Sequence, residues 1–106
     1  MIHPREIEVL NILFGSEEAL ASIDIIERCN KLSQSTVQAV LRKLLQEGFV
    51  MVDSVKHSSN VLSRAYRPTE EAKEAIKQQY LSHYDSLRNI VPVNEIIQEL
   101  MKKGGV

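Results

Sequence analysis

The stretch Ser33-Gln34-Ser35-Thr36-Val37-Gln38-Ala39-Val40-Leu41-Arg42-Lys43-Leu44-Leu45-Gln46-Glu47-Gly48 decides the fold. Val37, Val40, Leu41, Leu44 and Leu45 follow one another at the spacings of a single apolar stripe on an α-helix. Ser33 is a good N-cap and Gly48 a good stop, so the pattern predicts a helix over 34–47. At roughly 100° per residue, the face opposite the stripe holds Ser35, Gln38, Ala39, Arg42 and Gln46. These side chains are short or able to hydrogen-bond, and only Arg42 is charged. A helix that needed only solubility would carry more Glu and Lys there.

Outward from this helix, the chain alternates between clear patterns and clear breaks. Upstream, Ile7, Val9, Leu10, Leu13 and Phe14 predict a helix over 4–14, opened by Pro4 and stopped near Gly15. Ser22 is expected to cap a short helix carrying Ile23, Ile25 and Ile26, with Lys31 and Leu32 as a tight connection to Ser33. Downstream, 49–55 is rich in β-branched residues and predicts a strand. Lys56, His57, Ser58, Ser59 and Asn60 form a polar turn, and 61–67 is the returning strand, closed by Pro68. Thr69 caps a further helix whose apolar positions are Ala72, Ile76, Tyr80, Tyr84, Leu87 and Val91. Pro92 then opens a last helix with Val93, Ile96, Ile97, Leu100 and Met101 on one stripe. The expected fold class is mainly α with a small β-hairpin: a winged helix-turn-helix over 1–68, followed by a helical dimerisation region over 69–106.

A chain of 106 residues, 43% of them hydrophobic, is large enough to bury a core. It has no tryptophan and few aromatics, so aliphatic side chains must fill that core. The net charge of -1 favours no partner, but its distribution does. Residues 1–32 carry three basic and six acidic side chains, 33–67 five and two, and 68–106 five and six. The middle third is the electropositive one, as a nucleic-acid footprint requires. A single Cys29 rules out an internal disulfide and fits a reducing, cytoplasmic setting. No signal peptide or membrane-spanning run is recognisable. His3, His57 and His83 lack metal-ligand spacing, and neither a phosphate loop nor a nucleophile motif occurs, so no enzyme, metal or cofactor is expected.

The free face of the 34–47 helix suits the major groove of B-DNA, which admits one helix and offers base edges to it. Gln38 matches adenine, Arg42 guanine or a phosphate, and Ala39 is small enough to approach a thymine methyl. Ser35 and Thr36 suit phosphates, and Ser33, Gln34 and Lys43 complete the contacts expected of this helix. Lys56, His57 and Arg64, together with Arg67, are placed to straddle the sugar-phosphate backbone from the hairpin. The stripes Ile76, Tyr80, Tyr84, Leu87 and Val93, Ile97, Leu100 exceed what so small a domain can cover, and a second copy of the chain is the expected cover.

The segments 33–50, 6–14 and 60–68 resemble the penicillinase-repressor family, the BlaI/MecI/CopY group. The resemblance implies a homodimeric winged-helix repressor of operator DNA, with Thr36, Gln38, Ala39 and Arg42 on its recognition helix and dimerisation through its C-terminal helices. The chain departs from that pattern in places. Ile7 and Phe14 stand where the family often has tryptophan. The tail lacks both the paired cysteines of copper-responsive members and the Asn-Phe cleavage step of β-lactam-responsive ones. The segment 66–71 is also similar to the strand-to-helix junction of PadR- and MarR-like regulators, a ligand-responsive alternative. A winged-helix module that binds proteins and no DNA is the alternative from another class.

Overall fold

The computed structural model describes residues 1–58 and 61–104, with the backbone alone at 56–58 and 61. The element order is α1 (Pro4–Phe14), α2 (Ser22–Arg28), α3 (Gln34–Gln46), β1 (Val50–Ser58), β2 (Val61–Pro68), α4 (Glu70–Asp85) and α5 (Val93–Lys102). Two compact units result, Met1–Ile76 and Lys77–Val106.

In the first unit, three helices close over a core of aliphatic side chains. Val9, Leu10 and Leu13 of α1, Ile25 of α2, and Val37, Leu41 and Leu44 of α3 are fully or almost fully buried, with Leu20, Val50 and Ala72 among them. The buried face of α1 runs through Glu6, Val9, Leu10 and Leu13, an i, i+3, i+4, i+7 set. Phe14, expected on that face, is exposed because it sits about a quarter turn away from it. The cap of α2 is Ala21 rather than Ser22, and Asp24 accepts a hydrogen bond from the Ala21 N–H at 2.9 Å.

Both ends of α3 follow from single residues. Ser33 Oγ accepts from the Thr36 N–H at 3.2 Å, satisfying one of the donors a helix start leaves free. Ser33→Ala is expected to cost about 1 kcal/mol, read as a lowered thermal midpoint. At the other end, Gly48 has φ 78°, a left-handed conformation that any Cβ would strain. The Phe49 N–H reaches the Leu44 carbonyl at 2.9 Å and the Gly48 N–H reaches Leu45 at 3.2 Å, a Schellman stop. The chain leaves it directly into β1.

The hairpin is longer than its apolar residues suggest. The ladder continues to Ser58 paired with Val61, so Lys56 and His57 lie in β1 and not in a turn. Backbone pairing, indifferent to side-chain polarity, carries the strand past Val55. The expected tip residues Ser59 and Asn60 lie outside the described residues. At the base, Leu20 and Tyr66 exchange both backbone hydrogen bonds, at 3.0 and 2.8 Å, tying β2 to the loop between α1 and α2.

Thr69 caps α4, its Oγ1 accepting from the Ala72 N–H at 3.3 Å and donating to the Gly48 carbonyl at 2.7 Å. The first turns of α4 hold Ala72 in the core of the first unit, with Ala75 and Ile76 against it. In the second unit, α4 ends at Asp85, earlier than its apolar spacing predicts. The Ser86 hydroxyl donates to the His83 carbonyl at 2.6 Å, and the Ser86, Leu87 and Ile90 N–H groups take partners three residues back. Such local bonds compete with the helix and convert its end into successive turns. Leu87 and Val91 therefore lie between helices, and the Tyr84 hydroxyl donates to the Val91 carbonyl at 3.1 Å. Pro92 is the N-cap of α5, one position before the first turn.

Candidate nucleic-acid interface

The free face of α3 is open. Ser35, Gln38, Ala39, Arg42 and Gln46 are all exposed, while the opposite stripe is in the core. Beside this face, β2 forms the second wall of a groove of about 690 Å³. Gln34, Gln38 and Arg42 line it from α3, and Leu62, Ser63, Arg64 and Tyr66 from β2. The structure thus brings Arg64 to the same groove as Gln38 and Arg42, although more than 20 residues separate Arg64 from either in sequence. Ser22 and Ile23 line it as well. Sequence reasoning missed them because only the packing of α2 against α3 brings them there; Ile23, half exposed where Ile25 of the same helix is buried, carries no mark of this in the sequence.

The other expected residues fall into four groups. Ser33, Ser35 and Thr36 form an exposed hydroxyl cluster at the α3 start, with Ser33 Oγ 2.9 Å from Thr36 Oγ1 and 3.2 Å from Ser35 Oγ. Lys43 is half exposed, with its ammonium 2.9 Å from Glu6 Oε2 in α1 and 3.9 Å from Glu47. The side chains of Lys56 and His57 lie outside the described residues. Arg67 is engaged at the hairpin base, where its Nε donates to Asp53 Oδ1 at 3.1 Å and its Nη1 to the Glu17 carbonyl at 3.2 Å.

Among the described residues Glu6 is the buried carboxylate, at 4% exposure. Burial alone pushes its carboxyl upward. The His3 N–H, donating to Oε1 at 2.8 Å, and the Lys43 ammonium outweigh that penalty and hold the group below its ordinary value of 4.5. The same contact with Glu6 raises Lys43 above its ordinary value. Cys29 is half-buried at the end of α2, with Sγ 3.9 Å from Glu8 Oε2. Among the described residues no cluster of His, Cys, Asp or Glu is arranged to hold a metal ion, and no helix is long and apolar enough to cross a membrane.

Of the residues expected in dimerisation, Ile76 is half-buried against the core of the first unit. Tyr84 and Leu87 are half-buried, while Tyr80, Val93, Ile97 and Leu100 are exposed. No residue of α5 is buried.

Three helices, a recognition-type helix with an open polar face, and an antiparallel hairpin beside it define a winged helix-turn-helix protein. The family model described as "Penicillinase repressor" matches residues 2–106, and the chain belongs to that family. It is a DNA-binding transcription regulator, not an enzyme. Solved structures share its fold. A Streptococcus mutans protein, smu.1704, is similar at 18% identity and a TM-score of 0.57, over 100% of this chain and 97% of that one. Bacillus subtilis PadR in complex with operator DNA is similar at 14% identity and a TM-score of 0.59, over 94% of this chain and 70% of that one. The adhesin competence repressor of Streptococcus pyogenes is similar at 19% identity and 0.54, over 92% and 65%. No curated protein matches the chain.

Proposed function

We propose that the chain represses transcription by binding a palindromic operator as a homodimer, with α3 of each copy in a major groove and the hairpin against the adjoining backbone. The observation that carries this reading is the groove in which Gln38 and Arg42 of α3 stand with Arg64 of β2. An amide and a guanidinium on a helix face are the groups that bond adenine and guanine edges, and a second guanidinium beside them suits a phosphate. Repression follows from occupying promoter DNA. That PadR, which is similar in fold, forms a complex with operator DNA supports DNA as the partner. Ser33, Gln34, Ser35, Thr36 and Ala39 complete the α3 contacts, and Lys56 and His57 those of the hairpin. Lys43 has a smaller share, since Glu6 holds its ammonium.

The dimer is argued from α5, where Val93, Ile97 and Leu100 follow one stripe and are exposed. A second copy covers such a surface, and two-fold symmetry matches a palindrome. The site of action is the cytoplasm, where Cys29 stays reduced.

Selection from random DNA, followed by gel shifts at rising salt, tests the reading. A two-fold-symmetric site whose binding weakens with salt supports it, and no specific site at low salt defeats it. On the selected site, Gln38→Ala is expected to cost about 1–3 kcal/mol and to relax preference at one base position. Lys56→Ala should weaken all sequences alike and lower the salt dependence. If the two variants behave the same way in competition against mismatched sites, Gln38 does not read a base.

A further inference from the structure

The hairpin ladder contains one extra residue. Val52 pairs with Tyr66, yet Ser54 pairs with Ala65, so Asp53 is a bulge in β1 while β2 runs on regularly. Arg64 and Tyr66 are two apart on β2 and share a face. Their partners Val55 and Val52 therefore share that face as well, although they are three apart. A strand achieves this only with an inserted residue, which bends it and increases its twist.

The bulge is fastened. Asp53 Oδ1 accepts from Arg67 Nε at 3.1 Å, and the same guanidinium donates through Nη1 to the Glu17 carbonyl at 3.2 Å. Beside this clip, Tyr66 and Leu20 exchange their backbone bonds. The hairpin is thus held to the α1–α2 loop at its base, and the bend at Asp53 sets the direction in which everything beyond it leaves.

We propose that Asp53 and Arg67 are positioning residues for DNA binding: the bulge, clipped through Arg67 to the Glu17 carbonyl, aims the outer hairpin at the sugar-phosphate backbone. This rests on the DNA-binding reading above and adds the element that orients its second wall. The reach makes the direction matter. At roughly 3.3 Å per residue, the five steps from Asp53 to Ser58 span about 16 Å. A change of about 20°, comparable to the ordinary twist between strands, moves the far end by about 5–6 Å. A displacement of that size takes a cation out of hydrogen-bond reach of its phosphate.

The test uses the full chain on the DNA it selects from random sequence. Two variants test bend and clip. Deleting Asp53 leaves every residue pair from Ser54–Ala65 outward available but removes the bulge and, with its carboxylate, the Asp53 half of the clip, whereas Arg67→Ala keeps the bulge and removes the clip alone. Hydroxyl-radical footprinting reads backbone contacts; the hairpin's share is the protection that Arg64→Ala weakens. Guanine N7 methylation reads the α3 contacts. Both variants are expected to lose the hairpin protection and keep the guanine protection, with the salt slope lower by about 1 for each cation withdrawn. Circular dichroism reports folding; should the deletion fail to fold, Arg67→Ala decides alone. An unchanged hairpin footprint in a folded variant overturns the proposal, as does equal loss of both protections. If the parent chain selects no DNA, the DNA-binding reading itself fails, at a step before any variant is compared.

Discussion

Leu44→Ala is expected to destabilise the folded chain by about 2–5 kcal/mol, the cost of emptying a fully buried leucine site. Leu44 has no exposed surface and stands on the inner stripe of α3, among side chains contributed by the other helices and β1. The change removes apolar surface that was out of water and leaves a cavity that three packed helices cannot collapse. A domain is held by only about 5–15 kcal/mol, so the loss takes a large share of the total. Each kcal/mol lowers the midpoint by roughly 4–8 °C in a domain of this size. Urea unfolding with a common slope measures the difference. Leu45, only half-buried, provides the internal comparison, and Leu45→Ala should cost clearly less. Leu44→Met, which preserves volume, should cost less than about 1.5 kcal/mol. Equal losses at positions 44 and 45 would contradict this placement of the core. DNA binding by Leu44→Ala should track the folded fraction, because the exposed face of α3 is unchanged.

The contrast between these neighbouring leucines was not legible in the sequence, which sets both on one stripe, but most of α3 was. Its stripe is long and regular, Ser33 and Gly48 mark its ends, and the polar face opposite the stripe is the one left open to solvent. What escaped the sequence was set by tertiary contact. The bulge at Asp53 leaves no mark in Met51-Val52-Asp53-Ser54-Val55, because pairing partners and not alternation decide which residue is extra. Polar Lys56 and His57 look like a turn, yet the ladder carries them as strand. The end of α4 is set by hydrogen bonds within three residues, while its apolar spacing continues toward Val91. Ile23 reaches the groove only once α2 has packed on α3. In α1, choosing apolar positions alone shifted the expected face toward Phe14, since the centre of the true face is occupied by a glutamate.

That glutamate carries the second large effect. Glu6→Ala is expected to cost about 1.5–3 kcal/mol at neutral pH, the range for hydrogen bonds made to a charged group. The substitution leaves the His3 N–H without its acceptor and deprives Lys43 of its partner across α1 and α3. Glu6→Gln tests the charge separately, since it keeps the size and an acceptor for His3. The sign of the pH dependence follows from the direction of the shift. In the folded chain the Glu6 carboxyl titrates below its ordinary 4.5, so the folded state binds the proton less readily than the unfolded state. The stabilisation is therefore fully present above the unfolded value and is lost as pH falls through the lower, folded one. The stability gap between parent and Glu6→Gln should be widest near neutrality and narrow as pH drops below 4.5, measured by urea unfolding across an acid series. A gap that stays constant through that range would show the carboxylate charge to be irrelevant. For the regulator the consequence is geometric: the ion pair joins the start of α1 to the last turn of α3, so it steadies the helix that carries Gln38 and Arg42. Lys43→Ala should accordingly lower thermal stability while leaving base preference on the selected site unchanged.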